Sequence, residues 1–201
     1  MNRSLVIFVC LVMLGPLALA VTGCSPVSPQ VTYYSLLGSG LADKPAASQS
    51  RLAILVGPVS VPDILKTSQI ATGGAGERYQ RSEQHRWTGE VDRDFARAVG
   101  EQLATRLGTE QIALYPLDRH LELTHQIVFD ILAMEGTLGK EAKLAVRWSL
   151  VDPKSQTARV TRRSTYSEPP ADGSYHAWVA AQRQNINRLS EEIAAAIKTA
   201  P

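Results

Sequence analysis

The alternation of hydrophobic and polar positions predicts that the folded part of the chain begins with strands. Residues 31–37 and 51–62 are apolar and rich in β-branched or aromatic side chains, as is typical of strands. The second stretch is almost continuously apolar, which favours a central position in a sheet. Gly57-Pro58 within it predicts a bulge or bend, because a proline cannot donate a hydrogen bond to the ladder.

A short helical turn and a hairpin are predicted next. Asp63 is expected to cap one turn at residues 63–65. Residues 68–72 and 77–81 then flank Gly73-Gly74-Ala75-Gly76, which we interpret as the flexible tip of a hairpin. A phosphate-binding loop is disfavoured, because no lysine follows the glycines and the segment does not lead from a strand directly into a helix.

Two amphipathic helices are predicted from apolar positions that recur every three or four residues. The first spans Thr88 to Gly108, with Gly108 as its C-terminal stop. The second spans Ser174 to Ile197, with Asp172 or Ser174 as its cap. The predicted apolar stripes are Val91, Phe95, Ala98, Val99, Leu103 and Leu107 in the first helix, and Trp178, Ile186, Leu189, Ile193 and Ile197 in the second.

The acidic first turn of the first helix raises the question of a catalytic pair. Asp92 and Asp94 are two residues apart, so on a helix they point about 200° away from each other and do not converge. We therefore interpret both carboxylates as part of a solvated face, where they also suit the positive end of the helix dipole.

The segment between the two helices predicts mainly strands. A short strand at 112–115 precedes longer ones at 126–134, 142–151 and 158–166, which predict a meander whose middle strand has one buried face. Arg159, Arg162 and Arg163 are interpreted as a solvated face or as protection of a sheet edge. The predicted fold class is α+β: a largely antiparallel β-sheet with two long amphipathic helices packed on one face, in a single domain.

The first 24 residues are typical of an exported lipoprotein. Arg3 precedes an apolar run, and the segment ends in Val21-Thr22-Gly23-Cys24, which resembles the lipobox of bacterial lipoproteins. This resemblance implies a signal peptide over residues 1–23, cleavage between Gly23 and Cys24, and acylation of Cys24 by chains such as palmitate. Aspartate after the cysteine typically retains such proteins in the inner membrane. Here that residue is Ser25, so the expected location is the periplasmic side of the outer membrane.

A proline-containing tether, residues 24–32, joins this anchor to a domain predicted for residues 33–201. Tyr33 follows Cys24 by nine positions, so the domain begins at most about 30 Å from the anchor. Removing residues 1–23 from the 201 leaves 178, enough for one domain with its own core. Cys10 is lost with the signal and Cys24 is acylated, so no disulfide within the chain is expected.

Candidate chemistry is sparse in the mature chain. The formal net charge of the full sequence is only +2, and export also argues against a nucleic-acid partner. No nucleophile elbow or dinucleotide fingerprint occurs, and none of the histidines forms the i, i+4 pair with a glutamate that a helical zinc site needs. We therefore predict that the protein is not an enzyme and has no catalytic, cofactor-binding or metal-binding residues. An enzyme would require catalytic residues that are distant in the sequence to meet in the fold, and one sequence does not exclude this. The four histidines are His85, His120, His125 and His176.

Several motifs recur together in a known family. They are Tyr33-Tyr34-Ser35-Leu36, the run from Gly57 to Leu65 (Gly-Pro-Val-Ser-Val-Pro-Asp-Ile-Leu), Gln69-Ile70, and Glu83-Gln84-His85-Arg86-Trp87. In this order they resemble the auxiliary lipoprotein family of paraquat-inducible (Pqi) transport systems. The resemblance implies a non-catalytic lipoprotein that works with a mammalian-cell-entry (MCE) domain protein, anchored in the inner membrane, in moving lipids between the two membranes.

The sequence is compatible with three classes of function: a docking module, a lipid-binding carrier and an envelope hydrolase. A docking module at the outer membrane would present exposed aromatics, for which Tyr33, Tyr34, Tyr79 and Trp87 are the candidates, although each is individually as typical of a core. A lipid-binding carrier would need an apolar cavity, and the sequence has no excess of large apolar residues to line one. An envelope hydrolase would need a convergent catalytic set. A homo-oligomer is also expected, by inference from the resemblance.

Overall fold

The elements of the fold are taken from a computed structural model, which describes residues 29–38, 51–74, 78–116 and 121–199. Every strand and helix described below lies in one compact unit, Val31–Pro201. A single 3-10 turn, Asp63–Leu65, follows the second strand. The strands and helices are β1 Thr32–Tyr34, β2 Ile54–Ser60, β3 Gln69–Thr72, β4 Gln80–Trp87, α1 Val91–Leu107, β5 Ile112–Leu114, β6 His125–Glu135, β7 Ala142–Val151, β8 Ala158–Glu168 and α2 Tyr175–Thr199.

The strands form two sheets, so the prediction of a single sheet is wrong, although most of the paired residues are antiparallel as predicted. The smaller sheet has the order β1-β4-β3 and the larger the order β5-β2-β6-β7-β8. Pairs β1–β4, β2–β5 and β2–β6 are parallel, and β3–β4, β6–β7 and β7–β8 are antiparallel. The reason is connectivity: the partners of β2 come only after a hairpin and a helix, and such a long crossover returns the chain in the parallel direction. The predicted meander, β6 to β8, is confirmed.

β2 confirms the interpretation of its apolar run. It lies inside the larger sheet, flanked by β5 and β6, and its pairing with β6 shifts register between Val56 and Val59. The shift falls at Gly57-Pro58, whose peptide bond is cis and where Gly57 has φ 112°. The bend predicted from the proline is therefore present.

The main core lies between the larger sheet and the two helices. α1 contacts β2 and β5, α2 contacts β7 and β8, and the helices contact each other. Phe95 of α1 meets Phe129 of β6 edge-to-face, with ring centroids 5.4 Å apart. Burying a side chain of this size contributes about 1.5–3 kcal/mol. The buried face of β7 is the predicted one, with Leu144, Val146, Trp148 and Leu150 fully buried.

Helix ends follow their local sequence signals. Gly108 ends α1 in the left-handed conformation, with φ 59°. Ser174 Oγ accepts the Ala177 N–H at 3.1 Å, which confirms Ser174 as the cap of α2. Asp63 was predicted to cap the 3-10 turn, which is wrong: Pro62 occupies the cap position, and Asp63 pairs with Lys66 at 2.7 Å instead.

The glycine segment is more constrained than a flexible tip. Gly73 and Gly136 exchange two backbone hydrogen bonds, of 2.7 and 2.9 Å, which join the hairpin of the smaller sheet to the end of β6. Gly74 has φ 116°, and a Cβ there would come within 2.2 Å of Glu135 Oε2. The hairpin was predicted correctly, but its first two glycines fasten the two sheets together. Ala75 and Gly76 lie outside the described residues.

Candidate interaction groove

The motifs that are far apart in the sequence converge on one groove. It lies where the edge strand β1, the segment after β2, the end of β4 and the start of α1 meet, and its volume is about 680 Å³. We call it the β1–α1 groove. Its lining residues are Tyr33, Val59, Ser60, Val61, Leu65, Lys66, Thr67, Ser68, Arg86, Trp87, Thr88, Gly89, Glu90, Val91 and Asp92. A cavity of this volume falls in the range of small-ligand sites, about 300–1,000 Å³.

Apolar side chains form part of the groove wall. Leu65, Trp87 and Val91 are buried and belong to the hydrophobic core, while Val59 and Val61 are half-buried against it. Tyr33 stands at the groove with 61% of its surface exposed. An aromatic ring this exposed beside a recess lined by aliphatic groups is typical of a contact surface for another molecule.

The groove also carries charges of both signs. Lys66 and Arg86 come from the segment before β3 and from β4, whereas Glu90 and Asp92 come from the start of α1. Three of these charges have exposed partners close in sequence: Lys66 with Asp63, Arg86 with Glu83 at 3.6 Å, and Glu90 with Arg93 at 3.1 Å. Such exposed pairs contribute only about 0–1 kcal/mol each, so a ligand can replace them at little cost.

Two buried polar atoms of the lining residues lack a partner. Thr67 Oγ1 and the indole Nε1 of Trp87 are inaccessible and find no hydrogen-bond acceptor or donor in the described part of the chain. Trp87 is 3% exposed overall and packs near Trp178, with ring centroids 6.5 Å apart. Unsatisfied buried polar groups are uncommon in folded proteins, and two of the six such atoms among the described residues belong to the lining of this groove.

The four candidate docking aromatics have different environments. Tyr33 is exposed, whereas Trp87 is a buried wall residue of the groove. The Tyr34 hydroxyl lies 2.9 Å from His85 Nδ1, and burial, with the nearby Tyr175, raises the pKa of Tyr34. Tyr79 is 44% exposed but donates to Glu135 at 2.9 Å, and burial and this bond raise its pKa. Of the four, only Tyr33 and Trp87 line the groove.

A buried carboxylate holds the groove's outer strand in place. Asp94 accepts the Leu36 N–H at 2.5 Å and the Ser35 hydroxyl at 2.8 Å. Arg183 of α2 donates to the Ser35 carbonyl at 3.1 and 2.6 Å. These bonds clamp the segment that follows β1 against both helices, and they explain why β1 ends at Tyr34 rather than Leu37. Tyr33 is thereby fixed at the groove.

The interpretation of Asp94 as a solvated residue is wrong, since it is only 8% exposed. A signal for its burial was present in the sequence. Asp94 follows Val91 by three residues and precedes Ala98 by four, so it belongs to the same helical stripe as the apolar residues. A lone acid inside an apolar stripe predicts a buried polar contact, although its partner, Leu36, could not be named from the periodicity.

A second polar cluster joins β8 to α2. Glu192 accepts hydrogen bonds from Tyr166, from Ser164 at 2.9 Å and from Arg162 at 3.3 Å. Burial acts to raise the pKa of Glu192, but these hydrogen bonds together lower it. Burial, followed by the bond to Glu192, raises the pKa of Tyr166. The three predicted surface arginines, Arg159, Arg162 and Arg163, are exposed, as expected.

The remaining candidate residues give no further site. Gly23 and Cys24 lie outside the described residues, as does His120, so cleavage and lipidation stay predictions. His85 stacks on Tyr175 with ring centroids 4.1 Å apart. Within residues 29–38, 51–74, 78–116 and 121–199, no three His, Cys, Asp or Glu side chains are placed to hold a metal ion.

Neither α1 nor α2, the two helices that the structure describes, combines the length and the apolar character needed to cross a bilayer.

The sequence matches the family described as the ABC-type transport auxiliary lipoprotein component, over residues 34–194. No curated protein matches the sequence. Among solved structures, an uncharacterized protein has a TM-score of 0.65 and 16% identity, covering 84% of this chain and 99% of its own. A Xanthomonas campestris protein of the DUF330 family has a TM-score of 0.61 and 16% identity, covering 83% of this chain and 90% of its own. At these identities the structural likeness shows a shared fold.

Proposed function

This chain belongs to the family of ABC-type transport auxiliary lipoprotein components, and from that premise we propose that it is a non-catalytic docking component of a lipid transport system. In this proposal it is anchored through acylated Cys24 in the outer membrane and faces the periplasm. Its partner is an MCE-domain protein anchored in the inner membrane, and lipids move between the two membranes. The family match over residues 34–194 is the observation that carries the proposal.

The length of the tether supports a docking role. Because Tyr33 follows Cys24 by nine positions, the domain stays within about 30 Å of its anchor, so a partner from the other membrane must reach it. Two or more acyl chains make such an anchor stable, since each buried methylene contributes about 0.8 kcal/mol. The groove beside β1 is close to the entry of the tether and offers a surface for contact.

The polar clusters of the domain support a binding protein rather than an enzyme. Asp94 holds the segment after β1, and Glu192 holds β8 against α2. In both clusters the carboxylate accepts two or three hydrogen bonds from structural elements, which is typical of a fastening role. We further propose self-association of the domain. Sedimentation of the chain from Ser25 onward should show it, and a sharp monomer across micromolar concentrations would remove this part of the proposal.

The experiment that tests the proposed function changes Cys24 to Ala. The substitution precedes every described element, so the fold should be unchanged, while the protein should no longer fractionate with membranes. Cells with the Cys24→Ala protein should also resist detergents less well, because a protein released from the membrane is diluted into the whole periplasm. Ser25→Ala serves as the matched control and should keep both properties. Membrane fractionation of the Cys24→Ala protein without a partner present would contradict the anchor.

A further inference from the structure

We propose that the β1–α1 groove binds a phospholipid with a zwitterionic headgroup, with an acyl chain against the apolar wall and the headgroup at the charged rim. The inference deepens the proposed function, on which it rests, by naming a lipid class and the place where the lipid is held. It would make the docking component a participant in lipid transfer and not only an attachment point.

The first support is the shape and lining of the groove. Its volume of about 680 Å³ is sufficient for one acyl chain and part of a headgroup but small for a whole two-chain lipid. The apolar wall is formed by Leu65, Trp87 and Val91, whose inner sides are packed in the hydrophobic core, with Val59 and Val61 beside them. A hydrocarbon chain placed there removes apolar area from water at about 25 cal/mol per Å².

The second support is the charge pattern at the rim. Lys66 and Arg86 can donate to phosphate oxygens, while Glu90 and Asp92 can pair with a headgroup ammonium. The lining thus carries two charges of each sign, which complements a headgroup that also carries both signs. A lipid with only a negative headgroup would leave the two carboxylates facing like charge.

The third support is the pair of unpartnered polar atoms. Thr67 Oγ1 and Trp87 Nε1 belong to residues of the groove lining and have no partner within the described residues. Neither atom is accessible to water as the groove stands, so a ligand that shifts these side chains slightly would find one hydroxyl and one indole N–H ready to bond. A polar headgroup supplies acceptors for both, which a purely apolar ligand would not.

The fourth support is proximity to a bilayer. Tyr33 forms part of the groove and follows Cys24 by only nine positions, a distance of at most about 30 Å. The clamp at Asp94 fixes β1 to the domain, so the groove remains close to the point where the tether enters. Lipids of the anchoring membrane are therefore the amphiphiles present at the highest local concentration.

The test uses the chain from Ser25 onward, which keeps the whole compact unit Val31–Pro201. Palmitoyl lysophosphatidylethanolamine, kept below its critical micelle concentration, is titrated into the protein by calorimetry. We expect saturable binding of one lipid per chain, weakened about tenfold by Ser60→Trp, which fills the groove from an exposed position. Thr165→Trp, exposed on β8 and outside the groove, should bind as the wild type does.

The headgroup is tested separately. Lys66→Glu should weaken binding several-fold, whereas the exposed Lys140→Glu, outside the groove, should not. Lysophosphatidylglycerol should bind more weakly than the ethanolamine lipid, and Glu90→Lys should reverse that order. Equal binding of the two lipids by the wild type would overturn the zwitterionic assignment.

Two results would overturn the inference as a whole. The first is the absence of saturable lysolipid binding, and the second is binding that Ser60→Trp leaves unchanged. If lysolipid does not bind but Ser60→Trp abolishes crosslinking to the MCE protein in cells, the groove is a protein contact. The lipid assignment is then wrong while the proposed docking function stands. Membrane fractionation of the Cys24→Ala protein would instead count against the proposed function.

Discussion

The two sheets bury their surfaces to very different extents. In the larger sheet, β6 and β7 alternate buried and accessible residues, and α2 covers β7 and β8. In the smaller sheet, β1 is three residues long, and of the eight residues of β4 only Trp87 is buried. β3 buries Ile70, Ala71 and Thr72, so the accessible part of the smaller sheet is β1 and β4. The larger sheet therefore contributes most of the core, while β1 and β4 leave most of their side chains accessible to other molecules.

The smaller sheet depends on the larger one for its position. Asp94 of α1 and Arg183 of α2 hold the segment after β1, and the Gly73–Gly136 bonds hold the hairpin. Strands this short and exposed are marginal on their own. The groove is therefore a surface that the larger sheet and the helices hold in place. Substitutions in the scaffold should change stability, and substitutions at the groove should change function.

The largest expected effect is that of Phe95→Asp in the scaffold. Phe95 is fully buried against Phe129, and an unpaired charge there is expected to cost more than about 4 kcal/mol, enough to unfold the domain. Tyr33→Asp, at the exposed aromatic of the groove, is the control and should leave the thermal melt almost unchanged. An unchanged melt for Phe95→Asp would contradict the packing of α1.

A smaller effect is expected where the scaffold holds the groove. Asp94→Ala leaves the buried Leu36 N–H without an acceptor, which should destabilise the domain by about 2–3 kcal/mol. Asp92→Ala, two residues earlier, should cost only about 0.3–1 kcal/mol through the helix dipole. Chemical denaturation of both variants measures the difference. Equal losses would mean that the clamp does not fasten β1.

The bridge between the sheets is tested by Gly74→Ala. The positive φ and the approach of Glu135 disfavour a side chain, so a loss of about 1–3 kcal/mol is expected. Gly173→Ala is the matched control, because a Cβ there meets nothing within 4 Å and its φ is not in the left-handed range. Equal stability of the two variants in urea unfolding would show that the hairpin is not held at Glu135.

The smallest effect concerns pH and the cluster between β8 and α2. The pKa of Glu192 is lowered in the folded state, so its ionised contacts stabilise above the unfolded value of about 4.3 and are lost as the pH falls through the folded pKa. Glu192→Gln should cost less than about 1.5 kcal/mol at pH 7. Its melting temperature should approach that of the wild type below about pH 4. The exposed Glu191→Gln should show no such dependence, and a constant gap for Glu192→Gln would contradict the assignment.

Local patterns predicted the scaffold well. The stripes of α1 and α2, the stop at Gly108 and the meander β6 to β8 follow from periodicities within short windows, and the structure has them. The pairing of β2 with β5 and β6 could not be predicted in the same way. An apolar strand has no local feature that selects its neighbours, so the parallel pairs and the second sheet were missed.

The groove could not be predicted from the sequence. Its walls come from Tyr33, Val59, Leu65 and Trp87, which only the parallel pairing of β1 with β4 and the bend of β2 bring together. Tyr33 and Trp87 were named as candidates, but the same apolar character is typical of core residues. The sequence therefore could not show that one ring is exposed and the other buried at the same site.

The role of the β1–α1 groove is tested most directly by two tryptophan substitutions, compared in cells that lack the wild-type protein. Ser60→Trp fills the groove and Thr165→Trp adds the same bulk to the exposed edge strand β8. Both proteins should melt like the wild type and fractionate with membranes. We expect only the Ser60→Trp cells to lose detergent resistance. Full resistance with Ser60→Trp, or equal loss with Thr165→Trp, would contradict the claim that function resides at the β1–α1 groove.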